Sequence, residues 1–189
     1  MDAAARTFSA EGYEGASMRR LARKANLSLS GVYHYVAGKE ELLYWIQRNT
    51  FDSLLRGLRS SLEGVVGPRE RLHTAVLNHL RHFGEHMHEL KVCARELNAL
   101  EGEAYEVVHD RRRDYFEAVH ALVKELPAKA DAPLDSWLAT ANLFGLLNWF
   151  YQWYDPARSP VSLDDLAAQQ TALFLGGYAG PNGAKRSDP

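Results

Sequence analysis

"SMRRLARKANLSLSGVYHYVAGKEEL", residues 17–42, decides the fold. It holds two short helical patterns joined by a tight turn, and then the start of a long amphipathic helix. Ser17 suits the N-cap of the first helix, which ends near Ala25. Ser28 can cap the second, over about 28–35. Between them Ala22 is small enough for a second helix to cross closely. Asn26 is one of the few non-glycine residue types that tolerate positive φ at a sharp turn. Leu27 is expected to anchor that turn by burial, and Val32 to pack back on the first helix. This is the pattern of a helix-turn-helix, although an ordinary helical hairpin would share much of it.

The exposed residues favour the first reading. With Val32 inward, Ser28, Ser30, Gly31, Tyr33 and His34 lie largely on the other side of the second helix. They are small or hydrogen-bonding, as entry into a major groove requires. Ser17, Tyr33, Tyr35 and Lys39 are placed to reach phosphates, and Arg19, Arg20, Arg23 and Lys24 add positive charge. The alternative for that basic cluster is a solvated face.

Outward from this stretch the periodicity is helical everywhere, and no segment alternates as a strand would. "DAAARTFSAEG" reads as a first helix that stops at Gly12 with Phe8 inward. A long helix runs from about 38 to 62 on the stripe Leu42, Leu43, Ile46, Leu54, Leu55, Leu58 and Leu62. Pro68 suits the start of the next helix. Helices follow at about 69–88, 90–99, 102–126, 134–154 and 162–177, with "LPAKADAP" (126–133) as the clearest loop. The expectation is an all-α chain in three parts. Residues 1–45 form a three-helix DNA-binding module, 46–179 a larger ligand-binding and dimerisation body, and 180–189 a disordered tail.

Composition narrows the function. The 189 residues carry a net charge of −2, which argues against indiscriminate polyanion binding. Residues 1–50 nonetheless hold seven Lys/Arg against five Asp/Glu, so any nucleic acid is expected at that end. There is no membrane-length apolar run and no signal-peptide pattern, and the single cysteine, Cys93, cannot form an internal disulfide. These features point to the cytoplasm.

The stretch "FSAEGYEGASMRRLARKANLSLSGVYHYVAGKEELLYWI" resembles the DNA-binding domain of TetR-family transcriptional regulators over about residues 3–47. The matching marks are Phe8, Gly12-Tyr13, Ser17, the run Val32-Tyr33-His34-Tyr35-Val36 and Lys39-Glu40-Glu41-Leu42. Asn26, Leu29 and Val36 depart from the residues most usual in the family. The resemblance implies a homodimer that binds a palindromic operator as a repressor. A small molecule in the C-terminal body would change the spacing of the two reading heads.

In the body, "WLATANLFGLLNWFYQWYDP" (137–156) is apolar on all sides and implies burial against a partner. The expected dimer contact is 137–154 with 163–177. Candidate ligand residues are Phe83, Met87, Tyr105, His109, Arg112, Tyr115, Phe116, Phe144, Asn148 and Trp149. The basic knot Arg111-Arg112-Arg113 could neutralise phosphates at a pocket mouth, with Arg112 nearest the mouth; its alternative is a solvated face. Aromatic lining with cations at the rim suits an acyl- or aryl-coenzyme A thioester. The stretch "LLNWFYQWYDP" (146–156) also resembles the TetR-family subgroup that controls fatty-acid, phenylacetate or steroid degradation, which implies a coenzyme A thioester as effector. A neutral aromatic or hydrophobic effector is the alternative. His79, His82, His86 and His88 invite a metal reading, but no carboxylate or cysteine obviously completes a set. No phosphate loop or nucleophile elbow is present, so neither a cofactor nor catalysis is expected. The rival classes are a helical protein-interaction module and a helical enzyme using the histidines.

Overall fold

The structure is a computed structural model and describes residues 1–127 and 134–178. Every regular element among them is helical. The helices are α1 (Asp2–Gly15), α2 (Met18–Lys24), α3 (Leu29–Tyr33), α4 (Lys39–Ser61), α5 (Pro68–Glu85), α6 (Met87–Arg95), α7 (Gly102–Lys124), α8 (Ser136–Trp149) and α9 (Leu163–Tyr178). Short 3₁₀ turns lie at Leu97–Ala99 and Phe150–Gln152. None of these helices is long and apolar enough to cross a membrane. The loop residues 128–133 and the expected tail from residue 180 lie outside the described residues.

Three boundaries differ from the sequence expectation. The helix expected over 90–99 already ends at Arg95, ahead of the 3₁₀ turn at Leu97–Ala99. The helix expected over 69–88 breaks at His86, whose backbone (φ −123, ψ 47) leaves the helical region and starts α6 early. The helix expected over 134–154 ends at Trp149 and tightens into a 3₁₀ turn. Residues 148–153 include neither glycine nor proline, so the sequence could not mark the change.

The chain divides into two compact units. The first comprises Met1–Gly57 and His82–Tyr115, the second Leu58–Arg81 and Phe116 onward. In the first unit α1 is interrupted at Gly12, at φ 75 and ψ 163, which turns the chain so that Phe8 and Tyr13 meet at 5.5 Å. Both are buried, and α1 packs on α6. Gln47, fully buried on α4, donates to the Glu96 carbonyl at 3.1 Å, while its own Oε1 has no partner.

In the second unit Asp135 caps α8 by accepting from Leu138 N at 2.8 Å. Leu143, Leu147 and Phe150, and Leu166, Ala167 and Phe174, are buried in its core, where α8 contacts α9. Polar pairs fix its helices: Arg71 to Glu125 at 3.0 Å, His73 to Thr171 at 3.3 Å and His120 to Ser136 at 3.0 Å. Trp137, Leu138, Leu146, Trp149, Trp153 and Leu173 are left exposed.

Candidate nucleic-acid interface

The head is built by its caps. Ser17 Oγ accepts from Arg20 N at 3.4 Å and opens α2. At its other end Asn26 sits at φ 56. Asn26 N–H bonds the Arg23 carbonyl at 3.1 Å and Leu27 N–H bonds the Ala22 carbonyl at 2.9 Å. That pair of bonds is a Schellman motif with asparagine in the left-handed position. Ser28 Oγ then accepts from Gly31 N at 3.0 Å and starts α3. A Cβ on Gly31 would stand 3.0 Å from that same hydroxyl, so glycine leaves the cap its room.

Ala22 and Val32 are buried as expected, but Leu27 is 48% exposed. The expectation of Leu27 as a buried anchor is therefore corrected: its backbone N–H holds the turn, and the side chain stands outside. Ser28, Ser30, Tyr33, His34 and Tyr35 are exposed, and Gly31 is half-buried. Tyr33 and Tyr35 are 51% and 75% exposed, and the His34 and Tyr35 rings meet edge-on at 5.5 Å.

The basic residues divide. Glu11 of α1 accepts from Arg20 and from Lys24, each on its own carboxylate oxygen. Those two bonds, Arg20's first, hold the Glu11 carboxyl below its usual pKa. Arg19 and Arg23 are exposed and have no partner among the described residues. Lys39, expected at a phosphate, is engaged inside the unit: Nζ donates to the Tyr13 carbonyl at 3.1 Å and lies 3.6 Å from Glu14. Glu41 accepts from Ala37 N at 2.6 Å, closing the first turn of α4, and that bond with one from Trp45 lowers its pKa.

The arginine knot on α7 divides too. Arg111 pairs with Asp52 at 3.2 Å and Asp114 at 3.5 Å, and Arg113 with Asp110 at 2.9 Å. Arg112 is exposed and has no carboxylate among the described residues.

Family comparison agrees with this geometry. Residues 1–44 match the description "Bacterial regulatory proteins, tetR family", and residues 66–178 match "Tetracyclin repressor-like, C-terminal domain". The chain belongs to the TetR family. A TetR-family regulator from Bordetella parapertussis has a similar structure, at 31% identity, 94% and 92% coverage of the two chains and a TM-score of 0.86. The transcriptional repressor KstR2 of Mycobacterium tuberculosis aligns at 22% identity over 94% of this chain and 90% of its own. AibR, solved with isovaleryl coenzyme A and operator DNA, shares the fold at 23% identity, with 91% and 94% coverage and a TM-score of 0.76.

The remaining candidate ligand residues of this TetR-family regulator are distributed over its two units. In the first, Phe83 and Tyr115 are buried and Met87 is half-buried. Tyr105 stacks on His109 at 5.6 Å, and His109 is exposed. In the second, Phe116 and Phe144 stack on each other at 5.5 Å. Asn148 is half-buried and Trp149 is 61% exposed.

The first unit also contains a cavity of about 170 Å³, lined among others by Trp45, Asn49, Ser53, His82, His86 and Glu89. None of these is on the candidate ligand list; their only sequence signal was the pair of histidines four apart. The two rings lie 4.9 Å apart. Burial, then the neighbouring His86, pushes His82 down to about 4, so it is neutral at physiological pH. His79 belongs to the second unit, where it meets Phe144 at 5.9 Å. Among the described residues no group of three or more side chains is placed to hold a metal. Burial pushes the Cys93 thiol up to about 12, which leaves it unreactive.

Proposed function

We propose that this regulator is a cytoplasmic, effector-released repressor that binds a palindromic operator as a homodimer. Residues 1–45 read DNA, and 46–179 bind the effector and dimerise. The observation that carries the reading is α3. This short helix is capped by Ser28 and preceded by the turn at Asn26; it presents Ser30 and Tyr33 outward, and the turn that follows it presents His34 and Tyr35. These side chains meet base edges and phosphates, while α2 and its arginines flank them. Two such heads on a two-fold axis require half-sites about one helical turn apart, roughly 34–36 Å.

Dimerisation uses the exposed apolar residues of the second unit, with Trp137, Trp149 and Trp153 as the largest contributors. The effector is an acyl- or aryl-coenzyme A thioester. Two observations support it: Arg112 alone in its triplet is free to meet phosphate, and AibR, a protein of the same fold, was solved with such a thioester. A neutral aromatic effector is favoured instead by the 170 Å³ cavity, whose His82 carries no charge. Neither chemistry nor a cofactor is required of the chain.

The test is binding of duplex DNA from upstream of the protein's own gene, with and without added effector. Calorimetry with an acyl-coenzyme A and its free acid separates the two ligand readings. Thioester binding that is lost in Arg112→Ala and absent for the acid supports the coenzyme. Equal binding of acid and thioester rejects it.

A further inference from the structure

We propose that Glu11 governs how much of the head's positive charge reaches DNA, by holding Arg20 and Lys24 so that the phosphates are met by Arg19 and Arg23. The inference rests on the DNA-reading role proposed above. Its basis is the division of four cations on a single helix. Arg20 and Lys24 form one i,i+4 row on α2 and Arg19 and Arg23 form another. The first row faces α1, where each of the two Glu11 oxygens is taken: Oε2 by Arg20 Nη1 at 2.5 Å and Oε1 by Lys24 Nζ at 3.1 Å. The second row is exposed, with no partner among the described residues.

The consequence follows from counterion release. A free cation that meets a phosphate releases a counterion from DNA, and affinity then falls with salt. A cation that leaves Glu11 for a phosphate also releases one, but the vacated carboxylate recruits a counterion of its own. The net salt dependence of that exchange is close to zero. Glu11 therefore competes directly with phosphate for Arg20 and Lys24. The paired side chains are 47% and 43% exposed, so solvent and phosphate can both reach them, and the competition is an exchange rather than a lock.

The experiment is a salt series of duplex-DNA binding by fluorescence anisotropy, using the full chain and DNA from upstream of its own gene. Arg19→Gln with Arg23→Gln should flatten the log–log salt slope by about 2, at roughly 0.9 per phosphate contact. Arg20→Gln with Lys24→Gln should leave the slope nearly unchanged. Glu11→Gln should release both cations, steepen the slope by about 1 to 2 and tighten binding at low salt. Equal flattening by the two double variants, or a Glu11→Gln slope identical to the unmodified protein's, would overturn the proposal. A merely structural Glu11 would lower the melting temperature and weaken binding without steepening the slope, and that too would overturn it. Failure of the unmodified protein to bind any duplex would instead overturn the DNA-reading role together with this assignment.

Discussion

Lys39 donates from Nζ to the carbonyl oxygen of Tyr13 at 3.1 Å and lies 4.2 Å from the centre of the same residue's ring. A single cation thus pins the start of α4 to the end of α1. Tyr13 is itself held at 5.5 Å from Phe8, so the contact ties the head to its own core.

Lys39→Ala should therefore cost stability as well as DNA affinity. A charged hydrogen bond and a partly exposed cation–π contact together suggest about 1–2 kcal/mol. Urea unfolding measures the first effect and anisotropy the second. An unchanged unfolding midpoint with DNA binding lost would make Lys39 a phosphate contact alone.

Asn26 occupies the left-handed position of the turn between α2 and α3 at φ 56. Asn26→Gly should be neutral or stabilise slightly, because glycine enters that region without steric cost. Asn26→Val should destabilise by about 1–2 kcal/mol, since a branched residue clashes there. Thermal melts of both variants check the sign, and a valine variant as stable as the parent would contradict the turn geometry.

His82 gives the protein an acid-sensitive increment of stability. Its folded pKa is depressed to about 4 from the ordinary 6.5. Its contribution is fully present above 6.5 and falls as the pH drops toward 4, because the unfolded chain takes up the proton first. The full shift would correspond to about 3 kcal/mol, and partial exposure brings the expected loss nearer 1–2 kcal/mol. Between pH 7 and 4 the stability of His82→Gln should fall less than that of the parent. Parallel pH profiles in chemical denaturation would show that His82 titrates normally.

Leu173 and Phe174 are neighbours with opposite surroundings, 66% and 8% exposed. Leu173→Asp should weaken dimer formation at least tenfold, or about 1.4 kcal/mol, while the monomer remains folded. Phe174→Asp should fail to fold, costing at least about 3 kcal/mol, because it places a charge in the core. Light scattering paired with circular dichroism separates the two outcomes. An undisturbed dimer in Leu173→Asp would remove this face from the contact.

The caps and turns were legible in the sequence because they act over a few consecutive residues. Ser17 and Ser28 accept from N–H groups three residues on, and Asn26 adopts positive φ for reasons intrinsic to its side chain. The helical period likewise exposed Leu43, Ile46, Leu54 and Leu58 as core. The motif that marks the TetR family is local in the same sense.

Tertiary structure alone decided which charges are free. Glu11 reaches Arg20 and Lys24 across 9 and 13 residues, and Asp52 reaches Arg111 from another helix. An ion pair between elements depends on their packing, to which charge order along the chain is blind. The exposure of Leu27 and the inward turn of Phe174 were hidden for a related reason. Leu27 is a lone apolar residue in a polar turn, and Phe174 lies in the apolar run 172–175, where periodicity has no phase; in both places only the packing of neighbouring elements determines which side chain is buried.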